Sequence, residues 1–195
     1  MNVVYPSGQA SVIGIDPGAV SAAYGIIPWD LDGGVDAAYA FEMPVVDRMV
    51  DGKAFAYIMR SRAPTHAVIE KVNAFPGQGV SSSFRFGMGY GILLGVLASF
   101  GVQIFPVAPT VWKKYFRLDS DKEKARALAI QRFPNVDLHL KKDTGRAEAL
   151  LMAHDEADCF AVRISTLLLS TNDRMTMLDF PTSLGQETAA VQTKP

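Results

Sequence analysis

The sequence predicts an α/β domain, with a mixed five-stranded sheet and helices on both faces. Two observations predict it. Short apolar runs punctuated by turn residues come first, at residues 11–15, 22–27 and 35–43. Two further runs, 67–70 and 103–107, then alternate with segments of helical pattern. A sheet that begins as hairpins and continues through helices mixes both kinds of strand pairing and is covered on each side.

Each element has its own signal. Residues 11–15 form an apolar run ending at Asp16-Pro17-Gly18, a strand followed by a turn. Residues 22–27 pair back on it. Residues 35–43 follow the turn Asp32-Gly33-Gly34. A helix is expected over 53–60, stopped by Pro64, and a strand over 67–70, where Ala67-Val68-Ile69 is apolar and partly β-branched. Residues 74–83, rich in Gly and Ser, read as a loop. A glycine-dotted apolar helix then runs to Phe100, with Gly101 as its stop. Residues 103–107 form a strand closed by Pro106 and Pro109. Ser120 with Glu123 makes a capping box for a helix to Phe133, ended by Pro134. Thr144 caps the last helix, whose pattern continues to about residue 169. The expected organisation is one domain over 1–170 and a polar, loosely ordered tail over 171–195.

Composition excludes several classes. The strongly apolar stretch at residues 90–100 is too short to span a bilayer, so no membrane association is expected. The first ten residues have neither a basic start nor a long apolar core, so no secretory signal is expected. The single cysteine, Cys159, excludes an intrachain disulfide and a multi-cysteine zinc site, and fits a reducing, cytoplasmic setting. Net charge is only −1, but residues 110–147 hold ten basic and five acidic side chains between acidic flanks. That segregation suits a protein that grips phosphates on one face and cations on another, although a solvated helix face would look the same.

The informative residues are acids at the ends of apolar elements. Asp16 and Glu70 each close a strand, a position from which both can reach a common site. Asp143, Glu148, Asp155, Glu156 and Asp158 lie on or before the last helix. Carboxylates from two strands and a helix suit two Mg²⁺ ions, which activate water for phosphodiester hydrolysis.

Ile13-Gly14-Ile15-Asp16-Pro17-Gly18 resembles the opening strand of RuvC-type Holliday junction resolvases. Ile69-Glu70-Lys71-Val72 with Phe75-Pro76-Gly77-Gln78-Gly79-Val80-Ser81-Ser82 resembles the second block of their phage and prophage relatives. Pro109-Thr110-Val111-Trp112-Lys113-Lys114, with the helix from Asp121-Lys122, resembles the third, and the segment from Lys141-Lys142-Asp143 to Ala153 the last. Ser21 departs from the pattern, where a glycine is expected. The resemblance implies an RNase H-like fold, a homodimer, dependence on two Mg²⁺ or Mn²⁺ ions with no small-molecule cofactor, and paired symmetric nicks in four-way DNA. It assigns Asp16 and Glu70 as metal ligands. For the helix it leaves two readings open. The block match favours Asp143 and Glu148. Asp155 and Asp158 also resemble the Asp-x-x-Asp-Ala-x-Ala helix of bacterial RuvC. Glu148 and Asp155 lie roughly 10 Å apart along a helix, so one set serves a compact site.

The expected DNA contacts are Lys71, Arg85, Lys113, Lys114, Lys141, Lys142 and Arg146 on phosphates, with Gln78 and Ser81 in the loop. Phe75 is a candidate wedge at an unstacked base step, while Phe84 and Phe86 are expected to pack beneath the loop. His154 reads as a packing residue, with general acid–base work as the alternative. The competing functions are another RNase H-fold nuclease acting on other branched DNA or on RNA/DNA hybrids, and a junction-binding protein without catalysis. An actin-like kinase would need a second domain for which 195 residues leave no room.

Overall fold

Five strands form the central sheet in the computed structural model of the chain, which describes residues 11–18, 22–28, 37–73, 77 and 79–154. In chain order they are β1 (Ser11–Asp16), β2 (Ala23–Pro28), β3 (Tyr39–Glu42), β6 (His66–Glu70) and β7 (Gln103–Val107), and the spatial order is β3-β2-β1-β6-β7. β1–β2 and β2–β3 are antiparallel, whereas β1–β6 and β6–β7 are parallel. Val45–Val46 (β4) and Met49–Val50 (β5) add a small hairpin that the sequence pattern did not signal.

Strand alternation divides the core into two layers. Ile13, Ile15, Ala67 and Ile69 point to one face, where they meet Phe55 and Met59 of α1 (Gly52–Arg62) and Leu93 and Leu97 of α2 (Val80–Ser99). Val12 and Val68 point to the other. There they meet Trp112 of α3 (Pro109–Tyr115), Ala125 and Ala129 of α4 (Lys122–Arg132), and α5 (Thr144–Ala153). Every residue of α5 from Ala147 to Ala153 is buried, because the helix is sandwiched between the sheet and α4. Gly14 permits this approach. A Cβ there would sit 1.9 Å from the Ala149 carbonyl oxygen.

Several local expectations are corrected. α1 is longer at both ends than 53–60. Asp51 Oδ1 accepts from the Lys53 and Ala54 amides at 3.0 Å each, and Ala63 closes the helix in the left-handed region at φ 45°. α2 begins at Val80, inside the expected loop, so Ser81 lies in its first turn, where serine is favoured. Phe84 is 70% exposed rather than packed, and Phe86 is half-buried. Asp121, not Ser120, caps α4, accepting from the Glu123 amide at 2.9 Å. Pro109 opens α3, which was not anticipated, at a position where its missing N–H costs nothing. α5 ends at Ala153 with His154 extended, so the last helix does not run on unbroken toward residue 169. Ser21, Phe75, Gln78, Asp155, Glu156, Asp158 and the expected tail lie outside the described residues. Among the described residues, α2 is long and apolar enough to cross a membrane by length and composition, a longer stretch than the expected 90–100. Leu93 and Leu97 seat it on the sheet, and its opposite face stays open.

Candidate metal-dependent nuclease site

Asp16 and Glu70 end neighbouring parallel strands. The register pairs Ile15 with Ile69, so the two acids emerge side by side. Parallel strands lie about 4.8 Å apart, which sets the spacing of their backbones. Glu148 comes from α5, one residue before the Ala149 carbonyl that rests on Gly14. The close helix–strand contact therefore delivers Glu148 to the level of Asp16. Asp16 is 8% exposed and Glu148 4%.

The charges of Glu148 and Glu70 both act on Asp16, and that of Glu148 acts on Glu70. Burial pushes the Asp16 carboxyl up to about 7, and the Glu148 and Glu70 charges add to the shift. Lys122 and a hydrogen bond from the Gly18 amide oppose it. Glu70 is also raised, first by burial and then by Glu148. A hydrogen bond from Trp112 and the charges of Lys113 and Lys122 partly offset this. Each acid has a distinct counterpart. Glu70 Oε2 accepts from Trp112 Nε1 at 2.8 Å. Glu148 Oε1 lies 3.2 Å from Lys113 Nζ, and its Oε2 3.7 Å from Lys122 Nζ. The Lys113 contact lacks hydrogen-bond geometry, leaving Glu148 Oε1 buried without a donor. Among the described residues, no three acidic, histidine or cysteine side chains close to metal-binding distance. The acids are drawn instead toward Trp112 and the two ammonium groups.

Asp143 has partners of its own. It is 1% exposed, Arg146 Nη2 lies 2.6 Å from its Oδ1, and its Oδ2 accepts from the Leu140 amide at 2.8 Å. Burial raises its pKa, but the Arg146 guanidinium, the Leu140 amide hydrogen bond and the Lys142 charge outweigh it, so the carboxyl is held below the usual range. Its oxygens serve the turn Lys141–Asp143 that starts α5.

The expected DNA contacts fall into three groups. Ser81, Arg85, Lys114, Lys141 and Lys142 are exposed, Lys142 lying 3.4 Å from Glu42. Lys113 and Arg146 are half-buried and turned inward, onto Glu148 and Asp143. Lys71 is half-buried, and its amide donates to the Val107 carbonyl at 2.7 Å. Sequence reasoning missed Lys122 and Trp112 as site residues, although both sit in its third motif block. His154 packs between Phe116 and Phe133, with Arg132 Nη1 3.0 Å from its Nε2. Its surroundings are those of a packing residue.

No protein-family model matches the chain. It is 26% identical over 155 residues to a crossover junction endodeoxyribonuclease RuvC of Nitratidesulfovibrio vulgaris strain DP4, covering 76% of this chain and 92% of that protein. The RuvC of the Hildenborough strain matches at the same identity. Thermus thermophilus RuvC in complex with a Holliday junction substrate superposes with a TM-score of 0.56 at 15% identity, covering 74% of this chain and 90% of that one. A second Thermus thermophilus RuvC structure superposes with a TM-score of 0.55 at 14% identity, covering 80% and 97%. The chain therefore has the RNase H-like fold of these structures. It is also related in sequence to the RuvC-type resolvases that its motifs resemble.

Proposed function

We propose that this chain is a crossover junction endodeoxyribonuclease that cuts four-way DNA by paired symmetric nicks and depends on a divalent cation. The observation that carries the reading is the convergence of Asp16, Glu70 and Glu148 at one end of the sheet. The donor set fits the cation. Burial and the neighbouring carboxylate charges raise Asp16 and Glu70, a penalty that a cation among the acids would relieve, and Lys113 and Lys122 place two ammonium groups beside Glu148. Hard oxygen donors of this kind suit Mg²⁺ or Mn²⁺, held by Asp16, Glu70 and Glu148, with two ions accommodated per site. When bound, such ions supply an activated water and stabilise the charge that develops on the phosphate.

The chain's own residues do the rest. Asp16 and Glu70 are held by strand ends and Glu148 by a buried helix, so their carboxylates are preorganised. Lys113 and Lys122 hold positive charge at the edge of the site, where a phosphate would otherwise meet three acids. Lys114, Lys141 and Arg85 present exposed cations for the DNA backbone, and contacts of this kind carry no sequence information.

Paired nicks need two sites related by symmetry, and α2 offers the surface for a second copy. Val80 (85% exposed), Phe84 (70%), Gly87, Met88, Gly91 and Gly95 fall on one side of the helix. A Cβ at Gly87, Gly91 or Gly95 would meet nothing within 4 Å, so another helix can come close there.

The test is cleavage of a labelled four-way junction with and without Mg²⁺. Asp16→Asn, Glu70→Gln and Glu148→Gln should each abolish cutting while retaining junction binding. Cutting in EDTA, or normal rates in all three variants, would refute the reading. Light scattering should find a dimer that Phe84→Glu dissociates. A monomeric parent protein would refute the α2 assignment.

A further inference from the structure

Trp112 belongs to the core by burial and to the acidic site by its one polar atom. Its side chain is fully buried, packed with Val107, Phe133 and Leu138. Any large apolar residue would fill that volume. What distinguishes tryptophan is the indole N–H, which must find an acceptor when buried. It finds Glu70 Oε2 at 2.8 Å. Glutamate has three rotatable bonds, and among the described residues the Trp112 indole is the hydrogen-bond donor that fixes this head group at its strand end. The donor itself cannot drift, because the ring is locked in the core and α3 is pinned at its start by Pro109. Lys113, the next residue, lies 5.1 Å from the Trp112 ring centroid and reaches Glu148. Consecutive residues of one short helix thus address two different acids of the site.

We propose that Trp112 is a positioning residue for Glu70. Its indole N–H occupies one carboxylate oxygen and sets the plane of the group, so that the other oxygen is presented to a divalent cation shared with Asp16. This rests on the metal-dependent reading of the site. Partners of this kind, one bond removed from a metal, typically contribute tenfold to a hundredfold in metal affinity.

The experiment replaces one atom. The chain has two tryptophans, so Trp29 is first changed to Phe, leaving Trp112 alone. The protein is then produced with 3-benzothienylalanine, in which sulfur takes the place of the indole N–H and the shape is kept. Mn²⁺ binding is titrated by electron paramagnetic resonance, and thermal unfolding is followed in EDTA. The expected result is Mn²⁺ binding weakened by about tenfold or more, with the unfolding midpoint in EDTA unchanged. In a Glu70→Gln background, the sulfur substitution should leave the residual Mn²⁺ affinity where it was. Equal affinity for the indole and sulfur proteins overturns the proposal. So does a loss matched by a lower midpoint in EDTA, which marks a packing role, or a loss that persists undiminished with Gln at position 70. Absence of Mn²⁺ binding in the Trp29→Phe protein overturns the metal-dependent reading and this inference with it. Binding there that ignores the sulfur overturns this inference alone.

Discussion

Gly14→Ala should damage the site from two residues away by moving the helix that carries Glu148. The added Cβ would lie 1.9 Å from the Ala149 carbonyl oxygen and 2.8 Å from the Ala153 nitrogen, both backbone atoms of α5. Neither can rotate aside. Restoring ordinary van der Waals separation of about 3.4 Å requires α5 to retreat from β1 by roughly 1.5 Å, at the upper end of overpacking costs, about 3 kcal/mol or more. Glu148 travels with its neighbour Ala149. A displacement of about 1 Å at a catalytic constellation costs on the order of a hundredfold in rate. The comparison is Met59→Ala on α1, buried at 1% exposure in the core layer on the opposite face of the sheet. Its cavity should cost about 2–5 kcal/mol without touching the acids. Urea denaturation sets the stabilities. Single-turnover junction cleavage is then measured at a temperature where both variants are folded. Gly14→Ala should cleave about a hundredfold slower than Met59→Ala. Equal rates would show that the α5–β1 contact does not set the spacing of the carboxylates.

Glu148→Gln should lower cleavage by about a thousandfold or more with little loss of stability, read by single-turnover kinetics beside urea denaturation. Asp143→Asn should do the reverse. It strands the Arg146 guanidinium at the start of α5 and should cost about 2 kcal/mol or more, most visibly in denaturation. Divalent-cation affinity should fall as pH drops through about 7, because the raised Asp16 carboxyl must lose its proton to bind, and a Mn²⁺ titration across this range checks it. His154 is lowered from 6.5 to about 4, by burial and then by Arg132, so the folded state favours the neutral ring. The unfolded chain takes up the proton first. Its contribution to stability is therefore full above about pH 6.5 and lost as pH falls toward 4, and thermal midpoints of the parent and His154→Gln should converge across that window.

The two strand-end acids were legible because a strand announces its own end. An apolar run stops, a turn begins, and the last side chain is left at the sheet edge, as at Asp16 before Pro17-Gly18 and at Glu70. Glu148 was legible from the motif but not from periodicity. α5 is buried on all sides, so no polar stripe separates an inward acid from an outward one. Asp143 was grouped with it because both precede or open the same helix. Its pairing with Arg146 was legible too, three residues on, a spacing at which opposite charges pair on a helix. Trp112 and Lys122 were not assigned because their partners are remote, 42 residues away for Trp112 and Glu70. The loop expected at 74–83 failed for a different reason. Gly and Ser composition does not distinguish a loop from the first turn of a helix, where serine also belongs.

The charge pattern shows most clearly what a linear reading misses. Ten basic residues between 110 and 147 suggested a phosphate-binding face. Folding divides them. Lys113 and Lys122 turn toward Glu148, Arg146 toward Asp143, and Arg126 toward Glu123 and the carbonyls of Leu138 and His139. These cations balance buried or neighbouring acids, and their removal would unsettle the site or α4 before it weakened any DNA contact. Lys114, Arg117 and Lys141 stay exposed. A segment's formal charge therefore overstates the charge available to a phosphate backbone. The excess marks where the protein has had to hold its own carboxylates together.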